Sequence, residues 1–544
     1  MAASSQATER TLLSRILRAL RPSHEHSAFS ATVLLMVAIM LSRVIGYLRE
    51  AYIAYAFGAG PATDAYVAAF TIPDWLNYML AGGTASITFI SIITRLASQG
   101  REDEADRAFS VTVTVMTAIL SAGIILMTIF ARPVERLIFP RFTPEQLDLC
   151  VHLTRILLPA QLFFYVGGIV SAVLLSRRLF LIPALAPLVY NVFIIVGGIV
   201  GAKHFGVASL AVGALVGAFL GPFLINAIGA SQAGTKYKFI FDTKNPAFRE
   251  WLRLSIPLML GVSLVSADDW ILRYFASGAA GDITRLNYAK RLFAVPIAVL
   301  GQAAGQASLP FFARLFGEGK REQFSKLVSG SVFRISALSF LASAWMCVTA
   351  LPTIDIVYRH GRFSVADSHE TSVYFFWFAL SLAFWAAQAL YARAFYAAGN
   401  TLTPMVASTL VTLASLPVYS ALFHSLGTPG LAIASDIGIF SNTVVLAVIL
   451  HRGNMVRAED LPWGELGKAL GTAVIAALAA WGASRVNFGA GRRAELMSIA
   501  LATLTWAAAV AGGLWITRSR LWQELRRKRE APVGTGASPT AVEP

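Results

Sequence analysis

The chain has 544 residues, 56% of them hydrophobic and only 14% charged, with a mean hydropathy of +0.63 and a formal net charge of +15. No soluble domain hides that much apolar surface, so the composition excludes an ordinary globular enzyme and calls for a bilayer as solvent. Nucleic acid is not the expected partner of the basic residues, because they gather in alternate loops rather than along one face.

Residues 9–21 place Leu12, Leu13, Ile16, Leu17 and Leu20 on one helical face and arginines on the other, the pattern of an interfacial helix within a cytoplasmic tail over 1–27. About fourteen runs of roughly 20 apolar residues follow, starting near residues 28, 64, 108, 151, 180, 207, 251, 286, 330, 371, 404, 430, 467 and 495. This pattern predicts an all-α polytopic membrane protein of about 14 transmembrane helices. Basic residues cluster in the N-tail (Arg10, Arg15, Arg18, Arg21), at Arg177 and Arg178, over 236–253 and 314–334, and in the C-tail. By the positive-inside rule both termini are cytoplasmic.

The first span contains Ser42-Arg43-Val44-Ile45-Gly46-Tyr47-Leu48-Arg49-Glu50. A guanidinium stays charged at any accessible pH, and placing one at membrane depth costs about 3 kcal/mol or more unless it meets a watery cavity or an anion. A chain that keeps Arg43 and Arg49 there is expected to move something negatively charged, with Glu50 a further cavity candidate. Downstream, Phe57-Gly58-Ala59-Gly60 leads to Asp64, and Phe275-Ala276-Ser277-Gly278 leads to Asp282 at the same interval. Each copy continues to a proline (Pro73, Pro296) and a Gly-rich stretch ending in Ala-Ser. The offset of about 220 residues spans an even number of helices, so the copies form a parallel repeat. The expected organisation is an N-lobe over 28–230, a C-lobe over 231–452, two extra helices over 453–517 and a basic, then disordered tail over 518–544. Lys290 and Arg291, in Tyr288-Ala289-Lys290-Arg291-Leu292, are the cationic residues of the second copy and are expected to share a cleft with Arg43 and Arg49. Asp64 either restrains an arginine or opens the second helix as a cap.

Covalent chemistry is not expected, and neither is a cofactor. Cys150 and Cys347 lie about 200 residues apart without metal-ligand spacing. His24 and His26 have no partners of the right type, and Gly464-Glu465-Leu466-Gly467-Lys468 has the wrong spacing for a phosphate-cradling loop.

The segment Ser42–Glu50 with Ala56-Phe57-Gly58-Ala59-Gly60-Pro61-Ala62-Thr63-Asp64-Ala65-Tyr66 closely resembles the opening signature of the MurJ (MviN) family, lipid II flippases of the MOP superfamily that serve bacterial peptidoglycan synthesis. Further echoes are Ile182-Pro183-Ala184-Leu185-Ala186-Pro187 with Asn191, Tyr358-Arg359-His360-Gly361-Arg362-Phe363, and Arg393-Ala394-Phe395-Tyr396. The resemblance implies two six-helix lobes around a cationic cavity, with the last two helices forming a groove for a lipid tail. It places Arg43, Arg49, Asp64 and Arg291 on substrate-binding positions for the pyrophosphate and sugar of lipid II, in the cytoplasmic (inner) membrane, with membrane lipids and cell-wall synthesis proteins as further partners. The chain also departs from the family pattern. Asn77 and Gly82 stand where the family carries a cation and an acid, and Lys290 stands for an Asp. Ser415, Tyr419 and Ser420 replace a sodium-binding pair, which leaves Asp268 and Asp269 as the candidate cation or proton sites. The expected function is translocation of lipid II by alternating access. The alternatives are a flippase for another polyprenyl-diphosphate-linked oligosaccharide and, behind it, a MATE-like exporter.

Overall fold

The computed structural model describes residues 28–77, 83–177, 179–265, 267–486, 488–489 and 491–524. The interfacial helix expected over 9–21, Gly82 and the tail beyond 524 lie outside these residues. Among the described residues the architecture is entirely helical.

α1 (Ala28–Phe57) stops where Gly58 takes φ +72°, and α2 (Pro61–Ala69) restarts the chain at once. Gly60 donates its N–H to Thr63 Oγ1 at 2.9 Å and Pro61 opens the first turn, where a missing N–H costs nothing. α3 (Thr71–Leu76) contains Pro73, and a wider, π-type turn begins at Asn77. α4 (Gly83–Ser98) and α5 (Glu102–Ile138) follow; the 37 residues of α5 extend ~55 Å, well beyond a bilayer's apolar core. Glu102, Asp103 and Glu104 begin α5 with the negative charge that its dipole favours. Next come α6 (Pro144–Leu157), α7 (Ala160–Ser176), α8 (Leu181–Phe205) and α9 (Ala208–Ala218), then a π-type segment (Phe219–Ile225) and α10 (Asn226–Gln232). α11 (Pro246–Val265), α12 (Ala267–Ala276) and α13 (Asp282–Pro296) lead to a second π-type segment (Ile297–Ala303) and α14 (Ala304–Gly317). The rest of the chain forms α15 (Arg321–Val348), α16 (Ala350–Tyr358), α17 (Val365–Leu380), α18 (Leu382–Ala397), α19 (Leu402–Leu426), α20 (Thr428–Arg452), α21 (Trp463–Ser484) and α22 (Arg492–Ile516).

Among the described residues, ten helical stretches are long and apolar enough to cross a membrane, eleven if α17 and α18, bent by 44°, make one span. These coincide with eleven of the expected starts. The remaining three, near 28, 64 and 251, fall on α1, α2–α4 and α11, each of which includes or adjoins residues outside the described set.

The chain divides into two compact units. The first runs to Tyr288 and takes in Tyr358–Asp367; the second holds Ala289–Val357 and the chain from Ser368 onward. Residues 231–288, expected in the C-lobe, thus group with the N-lobe helices, because α11 lies on α4: Arg95 and Glu250 pair across them, and Trp251 is buried in the same core as Phe89, Val111, Leu120 and Ile169. In the second unit α15 is the spine. α21 and α22 pack against it, with Trp345 Nε1 donating to Thr503 Oγ1 at 2.8 Å and Trp506 Nε1 to the Leu341 carbonyl at 3.0 Å.

Pro222 lies within the first π-type segment, and its carbonyl accepts from Asn226 Nδ2 at 2.8 Å. The same carbonyl lies 2.1 Å from where a Cβ at Gly167 would stand, so only glycine admits this approach of α7. Gly167→Ala is expected to destabilise the protein by about 1–3 kcal/mol through forced separation of the two segments, read as a lower melting temperature in detergent.

Candidate functional site

α1 brings its two arginines to different surroundings. Arg49 donates through Nη1 to Asn191 Oδ1 at 2.9 Å and pairs through Nη2 with Glu50. Asn191 is held in turn by its Nδ2, which donates to the Pro187 carbonyl at 2.9 Å one turn earlier in α8. The Arg49 side chain is 15% exposed and Glu50 is buried, so the pair is an internal, neutral clamp between α1 and α8. Removal of one partner would strand a charge, at a cost of about 3–5 kcal/mol. The Nε–H of Arg49 has no acceptor. Arg43, six residues earlier and so about a third of a turn away around the helix, is exposed and has no ion pair or hydrogen bond among the described residues. Of the two arginines, Arg43 is the one whose charge is not offset.

Asp64 neither restrains an arginine nor caps its own helix. It is buried, and its carboxylate accepts from the N–H of Gly281 and from both the N–H (2.8 Å) and the hydroxyl (2.7 Å) of Thr284. Asp64 therefore caps α13, the helix that begins at its own counterpart in the repeat, Asp282. A carboxylate at this point satisfies orphan N–H groups and the positive end of the helix dipole together. Gly281 turns the chain there with φ +90°, and a Cβ on it would press on Arg285 and the Ala59 carbonyl. Arg285 links the next two carboxylates, Asp282 at 2.8 Å and Asp367 at 2.7 Å. Asp367 also forms the capping box of α17 with Ser364, accepting from its N–H at 3.0 Å and its hydroxyl at 2.7 Å. Arg362 N–H donates to the Tyr55 carbonyl at 2.9 Å, which fastens the same loop to the end of α1.

The division between compact units falls inside α13, between Tyr288 and Ala289. Arg43, Arg49, Glu50, Asp64 and Asn77 belong to the first unit, Lys290 and Arg291 to the second. Lys290 is half-buried with its Nζ 5.8 Å from the Phe378 ring, and Arg291 is exposed; both make further polar or electrostatic contacts. Asn77 is half-buried at the π-type turn after Pro73. Asp268 and Asp269 stand in the first turn of α12, half-buried and exposed respectively, each with a partner. There they do what acidic residues ordinarily do at a helix start. Among the described residues no three His, Cys, Asp or Glu side chains gather as a metal site.

Several polar residues of consequence were not singled out by sequence reasoning. Arg285 is visible in principle by its i,i+3 spacing from Asp282, but Asp367 is more than 80 residues away along the chain. Glu135 and Arg273 read as ends of apolar segments, where acidic and basic residues are commonplace.

Long helices interrupted at prolines and joined by buried ion clusters define a polytopic, all-helical membrane-protein fold among the described residues. Two solved structures have it: "Lipid II flippase MurJ, inward closed conformation" (TM-score 0.75, 22% identity, covering 89% of this chain and 99% of that one) and an inward-facing multidrug resistance MATE family transporter of the MOP superfamily (TM-score 0.64, 16% identity, 78% and 98%). The family model described as "Lipid II flippase MurJ" matches residues 53–501, and the chain belongs to that family. Similar proteins include the "Lipid II flippase MurJ" of Burkholderia cenocepacia (27% identity over 503 residues, 88% of this chain and 95% of that one) and the "Probable lipid II flippase MurJ" of Rhizobium tropici (26% over 518 residues, 91% and 96%).

The two roles assigned to α1 and α2 separate in stability measurements. Asp64→Ala leaves buried N–H groups unpaired and is expected to cost about 2 kcal/mol, whereas Arg43→Ala, exposed and unpaired, should stay within about 0.5 kcal/mol of the parent. Equal losses of melting temperature for the two variants would refute the division.

Proposed function

We propose that this chain is a lipid II flippase, carrying the lipid-linked peptidoglycan precursor from the inner to the outer leaflet of a bacterial cytoplasmic membrane by alternating access, with both termini in the cytoplasm. The observation that carries the reading is Arg43. It is a permanent cation in the first long helix that no side chain among the described residues neutralises, in a chain of the MurJ family. A pyrophosphate is the ligand chemistry that such a guanidinium serves best, since its planar fork matches two phosphate oxygens and its charge persists at every accessible pH. Arg291, exposed in the second unit, is the further substrate-binding cation of this reading. Arg49 has a different role: tied to Glu50 and Asn191, it holds α1 against α8 and leaves one donor, Nε, for substrate.

The lobes in this proposal are residues 28–230 and 231–452, with α21 and α22 accommodating the lipid tail. Partners in the cell-wall machinery and membrane lipids belong to the same reading. A multidrug exporter would want acidic or aromatic recognition of cations, and an unpaired arginine opposes it. A flippase for another polyprenyl-diphosphate glycolipid shares the anion chemistry and differs only in the sugar. A membrane potential of about 100 mV contributes about 2.3 kcal/mol for each charge moved, which is enough to bias the return of an empty, arginine-bearing cavity.

The test is complementation in bacteria depleted of their own lipid II flippase, with lipid II in the outer leaflet labelled. The parent chain should restore export, Arg43→Ala should reduce it at least tenfold, or about 1.4 kcal/mol, and Arg43→Lys should recover part of it. A well-inserted parent that exports no lipid II, or an Arg43→Ala variant that exports normally, would refute the proposal.

A further inference from the structure

Glu135 is fully buried three residues before the end of α5, and the flippase reading makes no use of it. Its Oε2 accepts from Cys150 Sγ at 3.4 Å, and its Oε1 lies 2.6 Å from Thr154 Oγ1, both on α6. The same Thr154 hydroxyl lies 3.2 Å from the carbonyl of Ala69, the last residue of α2. A threonine hydroxyl has one proton to give. Two oxygens compete for it, and the Ala69 carbonyl has the stronger need, because the residue four positions on is Pro73, which has no N–H. If the hydroxyl proton goes to Ala69, the short contact between Glu135 and Thr154 needs a proton of its own. A protonated carboxyl supplies it, giving an unbroken relay: Glu135 O–H donates to Thr154 Oγ1, and Thr154 O–H donates to the Ala69 carbonyl.

We propose that Glu135 is a proton-binding site whose occupancy is coupled, through Thr154, to the break between α2 and α3. When the proton leaves to water admitted at the nearby end of α5, the carboxylate becomes an acceptor only and draws the Thr154 hydroxyl to itself. The Ala69 carbonyl then loses the Thr154 donor at the proline-weakened turn of the second span. One charged side chain from a packed element reaches this carboxylate, Arg273 of α12, which acts on it electrostatically and donates through Nη1 to Thr71 Oγ1 at 2.9 Å. A new negative charge at Glu135 pulls Arg273 away from Thr71, the residue just past the same break. The other facing groups are Cys150 and Thr154. Asp64 on α2 is turned to α13, Arg132 is exposed and paired with Asp148, and Arg136 is exposed. Loss of one proton thus withdraws two hydrogen bonds from Ala69–Thr71, and its return restores both.

The site stands on this geometry alone, while its use in transport rests on the flippase reading, and the experiment separates the two. Infrared difference spectra of the full chain in lipid nanodiscs, titrated from about pH 5 to about pH 8, are recorded for the parent, Glu135→Gln and Thr154→Val. Glu135→Gln keeps a donor toward Thr154 and so preserves the relay and the fold. A protonated-carboxyl band that titrates in the parent, vanishes in Glu135→Gln and moves to higher frequency in Thr154→Val is the expected result. A parent-minus-Glu135→Gln spectrum with only ionised carboxylate across the range overturns the site. In proteoliposomes, stimulation of lipid II flipping by an imposed proton gradient should be lost in Glu135→Gln. Flipping with no gradient response in the parent, or a response that survives in the variant, overturns the coupling. A titrating Glu135 band in a parent that flips nothing supports the site and refutes the flippase reading.

Discussion

The cost of an unmatched charge or an unpaired backbone group in apolar surroundings governs this protein more than any other term. Its helices are too long and too apolar for water to repair a missing partner, so a buried charge or backbone group is costly unless a neighbour answers it. Asp64 answers two N–H groups of α13; Arg285 answers Asp282 and Asp367; Glu50 and Asn191 answer Arg49. Each solution joins segments distant in sequence, so satisfying the polar groups also sets the tertiary arrangement of the first unit.

Proline makes the same constraint local. Pro73, Pro222 and Pro296 each remove an N–H from a helix; Pro222 lies within and Pro296 adjoins backbone of π-type geometry (Phe219–Ile225 and Ile297–Ala303), and Pro73 comes four residues before the π-type turn at Asn77. The carbonyl that Pro73 leaves free, Ala69, recruits the Thr154 hydroxyl, and in the π-type segment Asn226 Nδ2 donates to the carbonyl of Pro222. Helix breaks held by single side-chain hydrogen bonds are cheap to rearrange compared with intact helices, and such points are where a transporter can change shape without unpacking its core. Function and flexibility therefore share an origin in the placement of a few imino acids.

Against this background of matched groups, Arg43 stands out as exposed and unpaired among the described residues. Arg49 looked its equal in sequence, yet a neutral clamp and a free cation have opposite consequences. The clamp is a matter of stability, and the free cation is available to an anionic ligand.

The α-helical membrane class and the places of eleven of the expected spans were legible in the amino-acid order, because hydropathy is a local property. The family signature around Arg43 and Asp64 was legible for the same reason. Only tertiary structure decided what each polar residue does. It turned Asp64 toward the start of α13 and paired Arg49 while leaving Arg43 open. It grouped residues 231–288 with the first unit through α4 and α11, and it enclosed Glu135 with Thr154 and Cys150. The physical reason is that the energy of a charge or a hydrogen-bonding group in an apolar medium depends on the atoms within a few ångströms of it. Here those atoms come from residues tens to hundreds of positions away.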